Sequence, residues 1–306
     1  MNDSVVARTA VTSTSRSFRI RVSLAFFAIY ILWGTTFLAI RVAVTELPPF
    51  FAAGARFFTA GVVLYLFMRM KRHAQPTRVQ WRNLAILAML MFVAEYGPLF
   101  WAEKYVPSGI AAVLAATIPI LTMLSEVALR QQPFRWMLLT STLLGFCGVA
   151  ILLLHRGSHS FGLIPCLAIL AGSIGWALGS VLTRSMDLPK SRPLTAGVTM
   201  MLGGAALLAL SALFGELHPL PQVSLHAGLA LLYLIVIGSL LSFTAYVWLL
   251  GHFSASRLAS YAYVNPIVAV ALGYFAAGEP VTLQTLAGST LVLVSVFLIL
   301  RAQKEG

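Results

Sequence analysis

Charged side chains are scarce in this sequence. Asp, Glu, Lys and Arg together make up 10% of the 306 residues, whereas an ordinary soluble domain carries about a quarter. Hydrophobic residues make up 59%, which is more apolar side chain than a soluble fold of this length can bury. The composition therefore excludes a disordered chain, a collagen and a secreted module held by disulfides, and it indicates a protein whose solvent is lipid.

Cysteine and histidine are also few, and neither is spaced as in a metal, redox or catalytic site. Cys147 and Cys166 lie inside apolar runs without the paired spacing of a metal or redox site, and the six histidines fall in predicted loops or at span ends. The pattern contains no nucleophile with its base, no set of metal ligands and no phosphate-cradling loop. We therefore predict no enzyme activity, no bound metal and no cofactor.

Acidic residues number 9 against 21 Lys and Arg, which gives a net charge of +12. In a soluble chain this excess would suggest a nucleic-acid partner. Here the basic residues cluster in short segments between long apolar runs, so we predict contact with membrane lipid and none with nucleic acid.

The apolar residues group into ten runs, each long enough for a helix to cross the hydrocarbon core, which takes about 20 residues. Prolines mark most of the turns between the runs. The sequence therefore predicts an all-α integral membrane protein with ten spans, at 22–44, 50–69, 83–103, 107–129, 135–154, 161–183, 194–214, 226–250, 256–277 and 281–301.

The basic residues are divided unevenly between the two faces that these spans define. Of the 21 Lys and Arg residues, 17 fall on the face that carries both termini, three fall on the opposite face, and Arg56 lies inside span 2. Because basic loops stay in the cytoplasm, this bias predicts a protein of the cell (inner) membrane with both termini cytoplasmic. Residues 1–21 and 302–306 are then short cytoplasmic tails.

The two halves of the chain repeat each other. An offset of 147 residues relates Pro119 to Pro266, and an offset of 143 relates Trp33 to Trp176. An odd number of spans in each half makes the second half enter the membrane from the opposite side, a pattern typical of secondary transporters with a site near the midplane. The two five-span repeats are predicted at 22–154 and 161–301.

Several segments resemble the motifs of a known family. They are 31–41 (ILWGTTFLAIR), 47–57 (LPPFFAAGARF), 106–119 (VPSGIAAVLAATIP), 260–266 (SYAYVNP) and 278–280 (GEP). On these motifs the chain resembles the drug/metabolite transporter superfamily, in its EamA family, and within that family the YedA-like exporters. The resemblance covers roughly residues 22–301.

This resemblance implies ten helices in two inverted five-helix repeats, and export of small metabolites, often amino acids. It also implies that spans 5 and 10 lie at the periphery while the other eight line the path. One residue departs from the family pattern: where relatives often have a neutral residue in span 3, this chain has Glu95.

Glu95 lies in an apolar run, where a charge costs about 3 kcal/mol or more unless it faces protein or water. At about 1.5 Å of rise per residue, Arg56 in span 2 lies at a similar depth. Two interpretations follow. Either an Arg56–Glu95 ion pair locks spans 2 and 3 together, or the carboxylate faces the path and binds a substrate amine or a proton.

Aromatic and hydroxyl side chains complete the candidate substrate site. Trp33 and Trp176, near the middle of spans 1 and 6, either pack in the core or form a cavity wall that attracts cations. Ser242 matches Glu95 at the offset of 147, and its stripe on span 8 either lines the cavity or joins helices by hydrogen bonds. Trp101, near a span end, is also suited to anchoring at the membrane interface. The candidates are Trp33, Glu95, Trp101, Trp176, Ser239, Ser242, Tyr246, Tyr261, Tyr263 and Asn265.

Two prolines interrupt the candidate path. Pro119 and Pro266 each remove one backbone hydrogen bond inside spans 4 and 9. Kinks there would expose carbonyl groups to a cavity, as in many transporters; alternatively, the polar cluster before Pro266 only stabilises the kink. The residues grouped as structural or gating are Arg41, Arg56, Pro119 and Pro266.

These features together predict a secondary transporter that exports small metabolites, foremost amino acids or related compounds, by alternating access at a midplane cavity. The alternative is efflux of cationic or aromatic toxic compounds, with proton coupling, which Glu95 and the central tryptophans favour.

The charge bias makes a prediction about topology. Reporters fused after Ala74 and after Gly306 should both read cytoplasmic, and a reporter fused after Leu220 should read periplasmic, as measured with alkaline phosphatase and green fluorescent protein fusions. A periplasmic reading after Gly306 would contradict the ten-span arrangement.

Overall fold

The computed structural model describes residues 17–131, 136–153, 162–216, 223–253 and 255–302. Within these residues the chain forms helices joined by turns, with no β-strand. Most of the two predicted tails, residues 1–16 and 303–306, falls outside the described residues.

Ten long helices follow the ten predicted spans. Two of them are the apolar helices α5 (Trp136–Leu153) and α10 (Leu283–Ala302). The other eight are long and apolar enough to cross a membrane: α1 Ser17–Val44, α2 Pro49–Met70, α3 Arg78–Ala102, α4 Ser108–Ala128, α6 Leu163–Ser185, α7 Arg192–Leu213, α8 Leu225–Leu250 and α9 Ala259–Ala277.

The helix ends lie close to the predicted ones. The largest differences are at α1 and α3, which begin at Ser17 and Arg78 rather than at residues 22 and 83. The first turns of both helices carry arginine, whose long side chain can reach the head-group region while its helix continues. The hydropathy pattern predicts only the apolar part of such a helix. The predicted spans therefore begin a few residues after the true start of each helix.

Local sequence signals begin several of these helices. At the start of α3, the Thr77 hydroxyl accepts a hydrogen bond from Gln80 N, while the Gln80 side chain accepts one from Thr77 N. At the start of α8, the Ser224 hydroxyl accepts from Ala227 N. Pro49 occupies the first turn of α2, where its missing N–H costs nothing.

The packing between the two halves follows the predicted repeat. Contact between α1 and α9 is matched by contact between α6 and α4, and contact between α1 and α8 by contact between α6 and α3. Contact between α2 and α8 is likewise matched by contact between α7 and α3. Each match replaces a helix by the one five places along. The described contacts therefore have the symmetry of two inverted five-helix repeats.

Helices α2 and α7 are corresponding members of the two repeats, and their backbones touch. A Cβ atom added to Gly61 would lie 2.2 Å from Met201 N, and one added to Gly204 would lie 2.2 Å from Phe58 N. In lipid no hydrophobic effect draws helices together, so close approach at small residues supplies much of the packing. Only glycine allows this helix pair its observed separation.

The α2–α7 contact predicts a difference between two glycine substitutions. Gly204→Ala should destabilise the detergent-solubilised protein by about 1–3 kcal/mol or more, because its methyl group must push two backbones apart. The matched control is Gly228→Ala in α8, where an added Cβ meets nothing within 4 Å. Thermal unfolding should give a lower Tm for Gly204→Ala and an unchanged or higher Tm for Gly228→Ala. Equal Tm values for the two variants would refute the close contact.

Candidate functional site

Two broken helices mark the centre of the bundle. Regular hydrogen bonding in α4 stops at Ala115 and resumes at Ile118, with Pro119 in the first turn of the second half. Helix α9 opens with a 3₁₀ segment and becomes regular at Asn265, with Pro266 again in the first turn. The predicted kinks are thus breaks, because proline is best tolerated at the start of a helix.

A cavity of about 40 Å³ lies beside both breaks. Five helices contribute to its wall: α1, α3, α4, α6 and α9. Because one water needs about 10–15 Å³, the cavity is closed too tightly around its centre for a metabolite. Substrate entry therefore requires these helices to move. The predicted site residues that line the cavity are Trp33, Glu95, Trp176, Tyr261, Asn265 and Pro266.

The resemblance implies that eight helices line the path, whereas five helices form the wall of this cavity. None of the described residues of α2, α7 or α8 lies in its wall. Helices α5 and α10, which were expected at the periphery, pack along each other, and their described residues also lie outside the wall. The expectation for the whole transport path stays a prediction, because this cavity is only the part of the interior beside the two broken helices.

Aromatic rings form one side of the cavity. The ring centre of Trp33 lies 5.4 Å from that of Trp176 and 5.3 Å from that of Tyr261. Tyr246 lies behind the two tryptophans, 5.2 Å from each, and its hydroxyl is 2.8 Å from Ser180 Oγ. The face of an aromatic ring is electron-rich and attracts a cation placed over it.

Glu95 lines the same cavity, and no described basic side chain pairs with it. It follows a π-helical segment, Met89–Ala94, which widens the turn and sets the direction of its side chain. The residue is buried, and its Oε2 has no hydrogen-bond partner. Gly172 of α6 makes room for the carboxyl group, since a Cβ there would lie 2.9 Å from Oε2. An unpaired carboxylate at this depth is a candidate ligand-binding group.

Arg56 does not pair with Glu95. Its Nε donates to Ser239 Oγ at 2.9 Å, and its guanidinium lies over the rings of Phe57 and Tyr96, 4.5 and 5.2 Å from their centres. The side chain is fully buried, and neither Nη1 nor Nη2 has a hydrogen-bond partner among the described residues. The ion pair considered from the sequence is therefore absent from the described structure, although both charged groups are buried as expected.

The predicted polar stripe of α8 faces other helices and not the cavity. Ser239 accepts from Arg56, and Ser242 donates to Ile237 O at 2.8 Å and lies 3.4 Å from Ala28 O. Together with the Tyr246 hydroxyl, these groups join α8 to α1, α2 and α6. Hydrogen bonding between helices is thus what the structure supports for this stripe.

The remaining predicted residues differ in position. Trp101 is half-buried near the end of α3, with its ring centre 5.5 Å from that of Tyr105, and it lies outside the cavity wall.

Asn265 lines the cavity and also contacts α1. With its amide nitrogen facing two main-chain carbonyls of α1, it donates to Tyr30 O at 2.6 Å and to Ile29 O at 3.1 Å. It thereby ties the break in α9 to α1. The side chain of Tyr263 lies outside the described structure.

Arg41 belongs to a second space, at the end of the bundle. This vestibule has a volume of about 720 Å³. Arg41 Nη1 also donates to the main-chain carbonyl oxygen of Glu103. The residues lining the vestibule are Leu38, Arg41, Val42, Thr45, Glu46, Tyr105, Pro107, His226, Ala277, Gly278, Glu279 and Pro280.

Two acidic residues of this region were missed in the sequence. Glu279 accepts hydrogen bonds from Ser108 N, Ser108 Oγ and Gly109 N at 2.8, 3.0 and 3.2 Å, and so caps α4 from the other repeat. Glu103 is buried directly after α3. The sequence did contain a signal for the contact of Glu279 with α4. The motifs PSG (107–109) and GEP (278–280) both lie at span ends on the same predicted face of the membrane.

The ten helices, their two-fold repeat and the cavity between the repeats define a multi-pass membrane transporter. The sequence profile of the EamA-like transporter family matches residues 20–154 and again residues 163–301. The chain belongs to the EamA-like transporter family.

Relatives along most of the chain agree with this assignment. The uncharacterized inner membrane transporter YedA of Escherichia coli K12 is 36% identical over 259 residues, which cover 83% of this chain and 82% of that protein. The uncharacterized transporter YoaV of Bacillus subtilis is 24% identical and covers 91% of this chain and 96% of its own length. A solved crystal structure at 20% identity, with a TM-score of 0.66, covers 93% of this chain and 99% of that chain, and shares the fold.

The separation of Arg56 from Glu95 predicts how their substitutions combine. In the double variant Arg56→Gln/Glu95→Gln, the change in unfolding free energy should equal the sum of the two single-variant changes to within about 0.5 kcal/mol, because the two residues share no hydrogen bond. Arg56→Gln/Ser239→Ala is the matched control and should deviate from additivity by about 0.5–3 kcal/mol, since that pair is bonded. Denaturant unfolding of the detergent-solubilised wild type, the three single variants and the two double variants gives the free energies that both cycles need. If Glu95→Gln restored the stability lost in Arg56→Gln, an ion pair would have to exist.

Proposed function

We propose that this protein exports small amine-bearing metabolites, foremost amino acids or related compounds, across the inner membrane by alternating access. Membership of a transporter family supports the transport class. The observation that carries the substrate class is the unpaired Glu95 carboxyl group facing a wall of aromatic rings. With both termini cytoplasmic, as the basic residues indicate, the vestibule opens to the periplasm.

An ammonium group suits the cavity on two counts. Glu95 has an oxygen atom without a partner, so an ammonium donor would remove the cost of leaving that group unsatisfied. The faces of Trp33 and Trp176 attract cations, most strongly where water is excluded. A single carboxylate and a cluster of rings therefore favour a cationic group over an anionic one.

Arg56 offers a partner for a substrate carboxylate. Its Nη1 and Nη2 atoms donate to nothing in the described structure, and its guanidinium packs on the ring of Tyr96. Tyr96 itself lines the cavity. An opening motion that moves this ring would expose the guanidinium to the ligand, where a bidentate bond to a carboxylate is strong and specific. A zwitterionic amino acid would then bridge Glu95 and Arg56.

Efflux of cationic or aromatic compounds, with proton coupling, is the second candidate. It is favoured by the wall itself, since the described lining includes Glu95 and several aromatic rings but no basic side chain. On this candidate Arg56 stays packed throughout the cycle and the substrate has no carboxylate.

The two candidates predict different responses to a matched pair of probes, tyrosine and tyramine, which differ only in the carboxylate. In proteoliposomes we expect wild type to transport tyrosine, and Glu95→Gln to lose transport of both probes by about tenfold or more, because a charge-assisted bond contributes about 1.5–3 kcal/mol. Arg56→Gln should lose tyrosine transport but keep tyramine transport.

The control is Glu46→Gln, an acidic residue of the vestibule that already hydrogen-bonds Ser224 and should leave both probes unaffected. Tyramine transport that needs Glu95, with no tyrosine transport in wild type, would favour the second candidate. Equal transport of both probes by wild type and Glu95→Gln would rule out an amine site at Glu95.

A further inference from the structure

Glu103 carries a buried carboxyl group that the central cavity does not use. Its side chain has no exposed surface, and both carboxyl oxygens lack a hydrogen-bond partner among the described residues. It lies one helical turn beyond Leu99, a cavity residue on the same face of α3. The carboxyl group therefore lies between the cavity and the end of the bundle that holds the vestibule.

Charged groups from three other elements act on Glu103: Arg41 of α1, Arg56 of α2, and Glu279 after α9. Burial, and then the negative charge of Glu279, raise the pKa of Glu103 well above its ordinary value, against the opposing effect of the two arginines. A carboxyl group with no donor at either oxygen is cheaper to bury neutral than ionised. The closed structure thus favours the protonated form.

Glu103 belongs to a cluster of residues that links helix ends between the cavity and the vestibule. Arg41 joins α1 to α3 through the Glu103 carbonyl, and Glu279 joins the end of α9 to the start of α4 through Ser108. These four helices all contribute to the cavity wall. Opening the cavity towards the vestibule must separate them. We call Arg41, Glu103, Ser108 and Glu279 the vestibule gate.

We propose that Glu103 is a proton-binding site of the vestibule gate, protonated when the gate is closed and ionised when the gate opens to water. Opening hydrates the carboxyl group, which releases its proton to the vestibule. Closing returns the group to a site without donors and takes a proton up. The inference rests on the alternating-access part of the proposed function and is independent of the substrate.

The sign of the pH effect follows from this exchange. The closed gate binds one more proton than the open gate, so raising the pH on the vestibule side favours opening and lowering it favours closure. The effect is greatest between the pKa values that Glu103 has in the two states. Each closure would then take one proton from the vestibule side.

The test measures gate opening by cysteine labelling without any substrate. Cys147 and Cys166 are replaced, and Thr36→Cys, an almost isosteric change in the cavity wall, reports opening. Tyr105→Cys, in the exposed part of the vestibule, corrects for the effect of pH on thiol reactivity. An impermeant maleimide is added to spheroplasts at external pH values between about 5.5 and 8.5.

The ratio of the Thr36→Cys to the Tyr105→Cys labelling rate should rise about tenfold over this range, which corresponds to a change of about 1.4 kcal/mol in the equilibrium between the closed and the open gate. Glu103→Gln, which mimics the protonated form, should give a low ratio at every pH. Two control substitutions in the vestibule, Glu46→Gln and His226→Asn, should keep the wild-type dependence of this ratio on pH. Hydrogen bonds to Ser224 lower the pKa of Glu46, so this carboxyl group stays ionised over the whole pH range of the experiment.

Arg41→Gln gives an independent test should Glu103→Gln fail to fold. Loss of the neighbouring cation favours the neutral carboxyl group, so the midpoint of the pH profile should move to higher pH. A purely structural loosening would instead raise labelling at every pH without moving the midpoint, and would contradict the proposal. A ratio independent of pH in wild type, an unchanged profile in Glu103→Gln, or loss of the pH effect in His226→Asn would each overturn it.

Discussion

Hydrocarbon offers no hydrogen-bond partner, so every polar group at membrane depth must find one inside the protein or face a space that a ligand can enter. Backbone groups meet this constraint by pairing within the ten helices. In α4 and α9 the pairing is interrupted, and both interruptions border the central cavity. Among the described ionisable side chains, Glu95, Arg56 and Glu103 each have at least one buried polar atom without a hydrogen-bond partner. Glu95 lines the central cavity, whereas Arg56 packs on the cavity residue Tyr96 and Glu103 lies one helical turn beyond the cavity residue Leu99. The functional proposals depend on these three positions.

The number of spans, their order and the two repeats could be predicted because they depend on strong and long-range signals. Ten apolar runs and the repeat, at offsets of 147 and 143 residues, agree with the described helices and their paired contacts. The offset also identified Trp33 and Trp176 as equivalent, and the inverted repeat brings equivalent central residues to the same depth, where the two rings meet.

The direction of individual side chains could not be predicted in the same way. The stripe from Ser239 to Tyr246 assumed a regular helix, but α8 contains a π-helical segment, Leu234–Phe243, whose wider turn changes the phase of the residues along it. The Arg56–Glu95 pair was inferred from similar depths, and depth says nothing about which way two side chains point around their helix axes. Glu103 is the last residue of predicted span 83–103, a position where a charged side chain is expected to reach water, whereas the structure buries it.

The central claim is that the Glu95 carboxyl group and the Trp33–Trp176 wall form the amine site of this transporter. An experimental structure of the protein with a transported amine bound tests this claim most directly. The account predicts the ammonium nitrogen at about 3 Å from a Glu95 oxygen, in the cavity next to the Trp33 and Trp176 rings and beside the breaks in α4 and α9. A ligand held elsewhere, for example in the vestibule, with Glu95 still unpaired, would contradict it.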